Sequence, residues 1–491
     1  MSTSSRVLKS SFFLLAIQVV QRSLGIVSTL ILARLLTPEH FGIVALVTIA
    51  LQFFELLVET GNQQYIIQKD NIEDADLNTA WSMDVAIKTS MAIIVIACAP
   101  LMASYFDTPE LTTALAVAAL ALPIRALTTP GMMMLTREIN YQPVFRLTLW
   151  QKSASFITVI TIALIHPSHW AIIIGTLVSA VIIAVGSYRV HSYRPTWTLV
   201  HIRKQWQFSQ WLLARGIVGF TRSQIDNLMV SKFFGTTQLG GYNLVREVSL
   251  LPALTAIIPM SQPLLAAIAE NKHDPDVLAY RIRLSLALTI SVLLPLTTFM
   301  MLYPELIVMV LLGHQWEPYA HLLRPFGLFF FTFCLFSLIS DAIIAQGKVK
   351  ALFLFDVTST LIIFGVLLSA GTASLEAMAW TRGLLAALTT LILFLLLHRM
   401  TFFRAKHLLW LCLPSLIGST LAAVFTTFLQ VTEFSSLVEF LIRGSLFTIA
   451  STCLATGIAF VLLGRTEEWA QLHSLAGELK TNIRMWTLGT K

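Results

Sequence analysis

The sequence predicts an all-α polytopic membrane protein, and three observations predict it. Charged residues make up only 12% of the 491 positions, while 56% are hydrophobic. The apolar residues fall in runs of about 20, the length at which an α-helix crosses a bilayer. The mean hydropathy is +0.76, and soluble domains carry roughly twice this share of charge. A net charge of +7 would suggest nucleic acid as partner of a soluble chain. In a membrane chain it fits Lys and Arg retained on the cytoplasmic face, so no nucleic-acid partner is expected. Cys98, Cys334, Cys412 and Cys453 sit singly in apolar runs, which argues for small core residues and against a disulfide framework or a metal cluster.

Taken in order, spans are expected near 11–33, 41–63, 80–104, 111–135, 145–165, 170–188, 208–234, 239–269, 279–302, 322–345, 351–370, 374–397, 408–430 and 437–463, about fourteen in all. The first apolar run, from Ser10 to Leu36, is too long for a signal-peptide core and lacks a cleavage site, so it stays as a membrane helix. With the N-terminus inside, the cytoplasmic segments collect most of the Lys and Arg, among them Arg6, Lys9, Arg137, Arg203, Lys348, Arg404 and Lys480. The opposite side holds Arg34, Lys232 and Arg324, in short loops that are acidic at Asp107, Glu110, Glu305 and Glu317. Both termini are therefore expected on the cytoplasmic side of the membrane. Between 303 and 321, the apolar piece Leu306–Leu312 is too short to span and is expected at the interface or dipping into the bundle. After Gly464, Trp469, Leu472, Leu475, Leu479, Ile483 and Trp486 recur at helical spacing, as in an amphipathic tail on the inner surface.

Two stretches repeat. Ala33-Arg34-Leu35-Leu36 leads through a short turn to Gly42 and Leu46, and Ser231-Lys232-Phe233-Phe234 leads likewise to Gly240 and Leu244. Six spans lie between the copies, so the halves share one orientation and form parallel repeats, with substrate expected at their interface. The expected organisation is a six-helix lobe at 1–190, a cytoplasmic linker at 191–207, a second six-helix lobe at 208–400, two additional helices at 401–463 and the tail at 464–491.

Polar residues inside the spans point to a pathway, because ionised side chains at membrane depth normally face a bundle interior or a watery cavity. Gln18 and Arg22 share a face of the first span, and Gln52, Glu55, Glu59 and Gln63 one of the second. Arg125 lies between Pro123 and Pro130 in the fourth; Arg215, Arg222 and Asp226 line a stripe of the seventh, and Arg246 sits in the eighth. Arg22, Arg125, Arg215, Arg222 and Arg246 are the candidate substrate-binding residues, since guanidinium groups suit bidentate contact with phosphate or pyrophosphate. Glu55, Glu59 and Asp226 are candidates for coupling to a proton or Na⁺, or for simple counter-charge to the arginines. A local pair of Arg222 with Asp226 at i,i+4 is the structural alternative. Pro252, Pro259 and Pro263 interrupt the eighth span, a place where a helix can bend. There is no Walker A motif, metal-ligand cluster, nucleophile elbow or dinucleotide fingerprint, so neither a cofactor nor ATP-driven transport is expected.

The segments Ile31-Leu32-Ala33-Arg34-Leu35-Leu36-Thr37-Pro38-Glu39-His40-Phe41-Gly42, Gln224-Ile225-Asp226-Asn227-Leu228-Met229-Val230, Gly240-Gly241-Tyr242-Asn243-Leu244 and Gly313-His314-Gln315-Trp316 resemble, in the same order, the bacterial polysaccharide transporter (oligosaccharide flippase) family of the multidrug/oligosaccharidyl-lipid/polysaccharide exporter superfamily. Asn62-Gln63-Gln64-Tyr65 departs from that pattern in being more polar. The resemblance implies a flippase that moves a polyprenyl-diphosphate-linked oligosaccharide across the inner membrane by alternating access, without enzymatic activity. It also implies as partners the membrane lipid and the polymerase and export components of exopolysaccharide, capsule or O-antigen synthesis. The alternatives are an exporter of lipid-linked peptidoglycan precursor, a drug/ion antiporter, or a membrane glycosyltransferase or polymerase. The last normally needs a sizeable external loop with catalytic acids, and the loop at 303–321 carries only Glu305 and Glu317.

Overall fold

The computed structural model describes residues 3–58, 62–69, 71–259, 274–401, 405–429 and 435–464, with the side chains of 3–9, 11, 63, 64, 68, 203–215 and 275 excepted. Every described element is a helix: α1 Thr3–Leu35, α2 Pro38–Leu57, α3 Asn62–Gln68, α4 Asp74–Tyr105, α5 Glu110–Ala119, α6 Ala121–Ala126, α7 Gly131–Arg137, α8 Tyr141–Ile165, α9 Trp170–Val190, α10 Ile202–Phe234 and α11 Thr236–Pro252. After a π-turn at Ala253–Ile257 come α12 Pro275–Leu302, α13 Pro304–Leu311, a 3₁₀ segment at His314–Leu322, α14 Leu323–Ala345, α15 Val349–Ala370, α16 Leu375–Thr401, α17 Ala405–Thr427 and α18 Ser436–Leu463. Among the described residues, eleven helices are long and apolar enough to cross a membrane, or twelve when Glu110–Ala126 and Gly131–Arg137 count as one span bent by 64°. The expected fourteen is not reached, and the two missing spans are the polar ones. At 208–234 the chain is helical, but α10 carries Arg215, Arg222, Asp226 and Lys232. At 239–269, α11 has 17 residues and runs into the π-turn, and the remainder lies outside the described residues. The expected amphipathic tail lies outside them as well.

The chain divides into two compact units, one of Met1–Leu244, Leu311–Trp316 and Asp356–Met378, the other of Val245–Val310, Glu317–Phe355 and Ala379–Lys491. In the first, α5 shows how sequence period sets packing: Leu111, Ala114, Leu115, Ala118 and Ala119 recur at helical spacing and are all buried. Leu32 and Leu36 of α1 pack with Val159 and Ala163 of α8 and Ala171 of α9. In the second unit, Phe299 of α12 meets Phe447 of α18 at 5.4 Å between ring centroids. Gly418 of α17 lies against Ala455 of α18, where an added Cβ would come within 2.7 Å of the Ala455 amide nitrogen. Small residues let helix backbones approach in this way where lipid gives no hydrophobic drive for association.

The repeated motifs meet each other. A Cβ on Gly42 would lie 1.9 Å from the Thr236 carbonyl oxygen, and one on Gly240 1.8 Å from that of Pro38. Gly42 stands four residues after Pro38 and Gly240 four after Thr236, so the first turns of α2 and α11 cross reciprocally, backbone on backbone. Around this crossing, Thr108 and Thr236 hydroxyls lie 2.5 Å apart, and Lys232 donates to the Tyr105 carbonyl at 2.6 Å. The Gly313–Trp316 motif has a comparable role at the end of α1. The indole N–H of Trp316 donates to the Ala33 carbonyl at 2.6 Å, and the Gln315 amide donates to Ala33 and, at 3.0 Å, to Leu36. The Ala33 carbonyl belongs to the last turn of α1 and the Leu36 carbonyl directly follows it, where intrahelical donors run out. Gly313 turns the chain at φ +106°, a conformation that favours glycine.

Residues 191–201, expected as a linker, form an extended strap on α4. The backbone N–H of Thr196 donates to Asn78 at 2.9 Å, that of Thr198 to Ser82 at 2.9 Å, and the Tyr193 hydroxyl to Asn78 at 3.0 Å. Asp76, fully buried, accepts from Lys69 at 2.6 Å and pairs with His201 at 2.7 Å.

In the turn between α8 and α9, His169 is 7% exposed, and neither ring nitrogen has a hydrogen-bond partner among the described residues. Its ring lies 5.9 Å from that of His40. Burial, with the neighbouring His40, holds its pKa below the ordinary 6.5, against a weaker upward pull from Glu110 and Glu39. A histidine that resists protonation when folded binds fewer protons than when unfolded, so its contribution is present above the unfolded pKa and lost as pH falls below it. Protection of the amides in 168–173, relative to their intrinsic exchange rates, is therefore expected to be lower at pH 5.5 than at pH 7.5, and His169→Asn should flatten that difference. For the crossing, Gly240→Val should destabilise the solubilised protein by about 3 kcal/mol or more, since the obstacle is backbone. Gly365→Ala, at an open position, should leave the thermal midpoint within a degree or two.

Candidate functional site

The first unit encloses a cavity of about 970 Å³ between α2, α4, α6, α7 and α10. Each helix contributes for a local reason. One face of α2 presents Gln52, Glu55 and Leu56, and α4 presents Trp81, Asp84 and Lys88, the last two pairing at 3.1 Å across one helical turn. The bend after α6 exposes Thr128, Thr129 and Pro130, and α10 supplies Gly216, Gly219 and Phe220, whose ring meets Phe53 at 5.4 Å. At the start of α3, Asn62 donates to the Asp84 carboxylate at 3.0 Å and to the Ala80 carbonyl at 3.1 Å.

Arg125, on α6, forms an ion pair with Glu55 of α2 inside this cavity, and both side chains remain 38% exposed. The cavity wall thus holds two acids and two bases, Glu55, Asp84, Lys88 and Arg125. Lys152 of α8 lies within electrostatic reach of Arg125. It is a residue that sequence reasoning missed, since a lone lysine in a helix flanked by polar residues gives no periodic signal.

The other expected residues lie apart from this pair. Arg222 pairs with Asp356 of α15 at 2.7 Å. Asp226 is fully buried and accepts from the Tyr242 hydroxyl at 3.1 Å. Arg22 is half-buried on α1, and its Nη1 has no hydrogen-bond partner among the described residues. Arg246 lies in the second unit, with its guanidinium 5.3 Å from the Phe329 ring centre, and Arg382 approaches the same ring at 4.6 Å. Glu59 and the side chain of Arg215 fall outside the described residues. Among the described residues no group of three or more His, Cys, Asp or Glu could hold a metal ion.

An ion pair with both partners mostly buried leaves a costly orphan when one is removed. Arg222→Leu and Asp356→Leu are each expected to lower stability by about 3 kcal/mol. The double substitution should recover most of the loss, as a thermal-unfolding double-mutant cycle would show.

The matches to known proteins agree with one another. A sequence model of a family described as polysaccharide biosynthesis protein matches residues 31–321. The chain is 23% identical over 295 residues to the succinoglycan biosynthesis transport protein ExoT of Rhizobium meliloti (strain 1021), covering 60% of each protein. It is 21% identical over 355 residues to the lipopolysaccharide biosynthesis protein WzxC of Escherichia coli (strain K12), covering 71% of this chain and 72% of that one. The fold matches that of the lipid II flippase MurJ in an inward closed conformation, with a TM-score of 0.74 at 16% identity over 92% of this chain and 99% of the other. An inward-facing multidrug resistance MATE transporter of the MOP superfamily follows, with a TM-score of 0.55 at 12% identity, over 78% of this chain and 94% of the other. This multi-pass membrane chain, with the fold seen in those transporters, belongs to the polysaccharide biosynthesis protein family.

Proposed function

We propose that the protein is a flippase that carries a polyprenyl-diphosphate-linked oligosaccharide across the bacterial inner membrane by alternating access, for exopolysaccharide, capsule or O-antigen synthesis. The observation that carries the reading is the charged cavity of about 970 Å³ inside an otherwise apolar helical unit. A membrane-embedded chain maintains such a space at a cost, because each ionised group there must be solvated or paired. Family membership and the MurJ-like fold support the same reading.

In this proposal the saccharide and diphosphate enter the cavity while the polyprenyl tail stays in lipid. Arg125 meets the diphosphate; Arg22, Arg215, Arg222 and Arg246 are further candidates along the path, and Glu55, Glu59 and Asp226 are counter-charges or coupling groups. Both termini are cytoplasmic, which puts the crossing of α2 with α11 at the outer face, where it acts as the closed gate. The two lobes, 1–190 and 208–400, would alternate about the pathway, with 401–463 and the tail as additions. No chemical step is assigned to the protein; polymerase and export components of the same pathway are its expected partners.

The test is leaflet exchange in proteoliposomes holding only this protein, with a sugar-labelled polyprenyl-diphosphate oligosaccharide and an impermeant quencher. Wild type should give complete quenching. Arg125→Ala should slow exchange roughly tenfold to a hundredfold, the worth of a charge-assisted contact to phosphate. Protection of the inner-leaflet fraction with every substrate tried would refute autonomous flipping.

A further inference from the structure

Among the described residues, the charges on the cavity wall are two acids and two bases, already paired with one another. Lys88 is tied to Asp84 at 3.1 Å, and Asp84 also accepts from Asn62 at 3.0 Å. Arg125 is tied to Glu55. An anion that arrives at Arg125 therefore meets a carboxylate already in place. Two anions on one guanidinium repel each other, and one of them must leave or be neutralised. Leaving would separate the carboxylate from the guanidinium it is paired with. Glu55 faces Arg125 from α6 and the Asp84–Lys88 pair from α4, while the described α10 residues on the wall, Gly216, Gly219 and Phe220, offer it no charge. Lys152 on α8 is within reach of Arg125. Neutralisation requires only a proton.

Resting on the flippase reading, we propose that Glu55 competes with the substrate's diphosphate for Arg125, so that substrate binds with uptake of one proton by Glu55 and is expelled when Glu55 gives that proton up. The step balances. The Glu55 carboxylate gains a proton and becomes a carboxylic acid. Arg125 keeps its own proton and exchanges a carboxylate for a phosphate oxygen, and no covalent bond other than O–H changes. Glu55 is thus a positioning and gating residue: it holds the guanidinium aimed into the cavity when empty, and its protonation admits the anion. The asymmetry between the two ion pairs fits the roles. Asp84 has Asn62 as a second partner, whereas both members of the Glu55–Arg125 pair are open to the cavity.

The experiment uses the full chain in detergent with farnesyl diphosphate as the probe. Titration calorimetry in two buffers of different protonation heat counts the protons taken up per ligand. Wild type should take up about one proton more than Glu55→Gln, which removes the common contribution of the probe's own phosphates. Glu55→Gln should bind several-fold tighter, and Arg125→Ala should bind weakly or not at all. In case the Glu55 variant fails to fold, infrared difference spectra of wild type should show a new carbonyl stretch of a protonated carboxylic acid when the probe is added. Equal proton uptake in wild type and Glu55→Gln, or wild-type binding with no such band, would overturn the proposal while leaving the flippase reading intact. Full-strength binding by Arg125→Ala would overturn it too. If wild type binds no farnesyl diphosphate at any pH, Arg125 does not receive the diphosphate and the proposal is overturned, while leaflet exchange decides the flippase reading.

Discussion

Within lipid there is no water to satisfy a backbone, and even towards the membrane faces several of this chain's helix ends find side-chain donors and acceptors. Much of the architecture outside the helices answers that demand. The last carbonyls of α1 take hydrogen bonds from Gln315 and Trp316, nearly three hundred positions further along. The end of α3 is held by Arg137, which donates to the Ile66 carbonyl at 2.6 Å and to that of Lys69. The strap at 191–201 uses Asn78 and Ser82 for its amides in place of a sheet partner. In each case a polar side chain completes a backbone group that water would complete in a soluble protein.

The same scarcity of solvent explains the charges. Removing a carboxylate or a guanidinium from water costs several kcal/mol even after relaxation, and only close pairing offsets it. Arg222 with Asp356 and Arg443 with Glu439 meet that cost at 2.7 and 2.8 Å. Arg125 with Glu55 differs in kind, because both groups keep access to an open volume. A pair sealed in packing is a brace; a pair at a cavity wall can be exchanged.

The sequence made some of this legible. Length and hydropathy located the helices, since a twenty-residue apolar run has few other solutions. The glycines at 42 and 240 stood out because the turns around them look alike, and the structure brings them together. The pairing of charges was not legible. Arg125 and Glu55 are 70 positions apart, and Arg222 and Asp356 are 134 apart. Tertiary packing decides such partners, and one-dimensional spacing does not record it. The count of fourteen spans is not confirmed at α10 and α11, where side chains of the one expected span and part of the other lie outside the described residues.

The reciprocal crossing of α2 with α11 bears on how a doubled chain can drift. Most positions in two packed helices are free to change, because a larger side chain on one helix can be absorbed by a smaller one opposite. Gly42 and Gly240 have no such freedom: what each meets is the other copy's peptide backbone, which cannot shrink. Selection on one half is therefore imposed on the other at this point, and the mark of a common ancestor would persist here after it has faded from the helices around it.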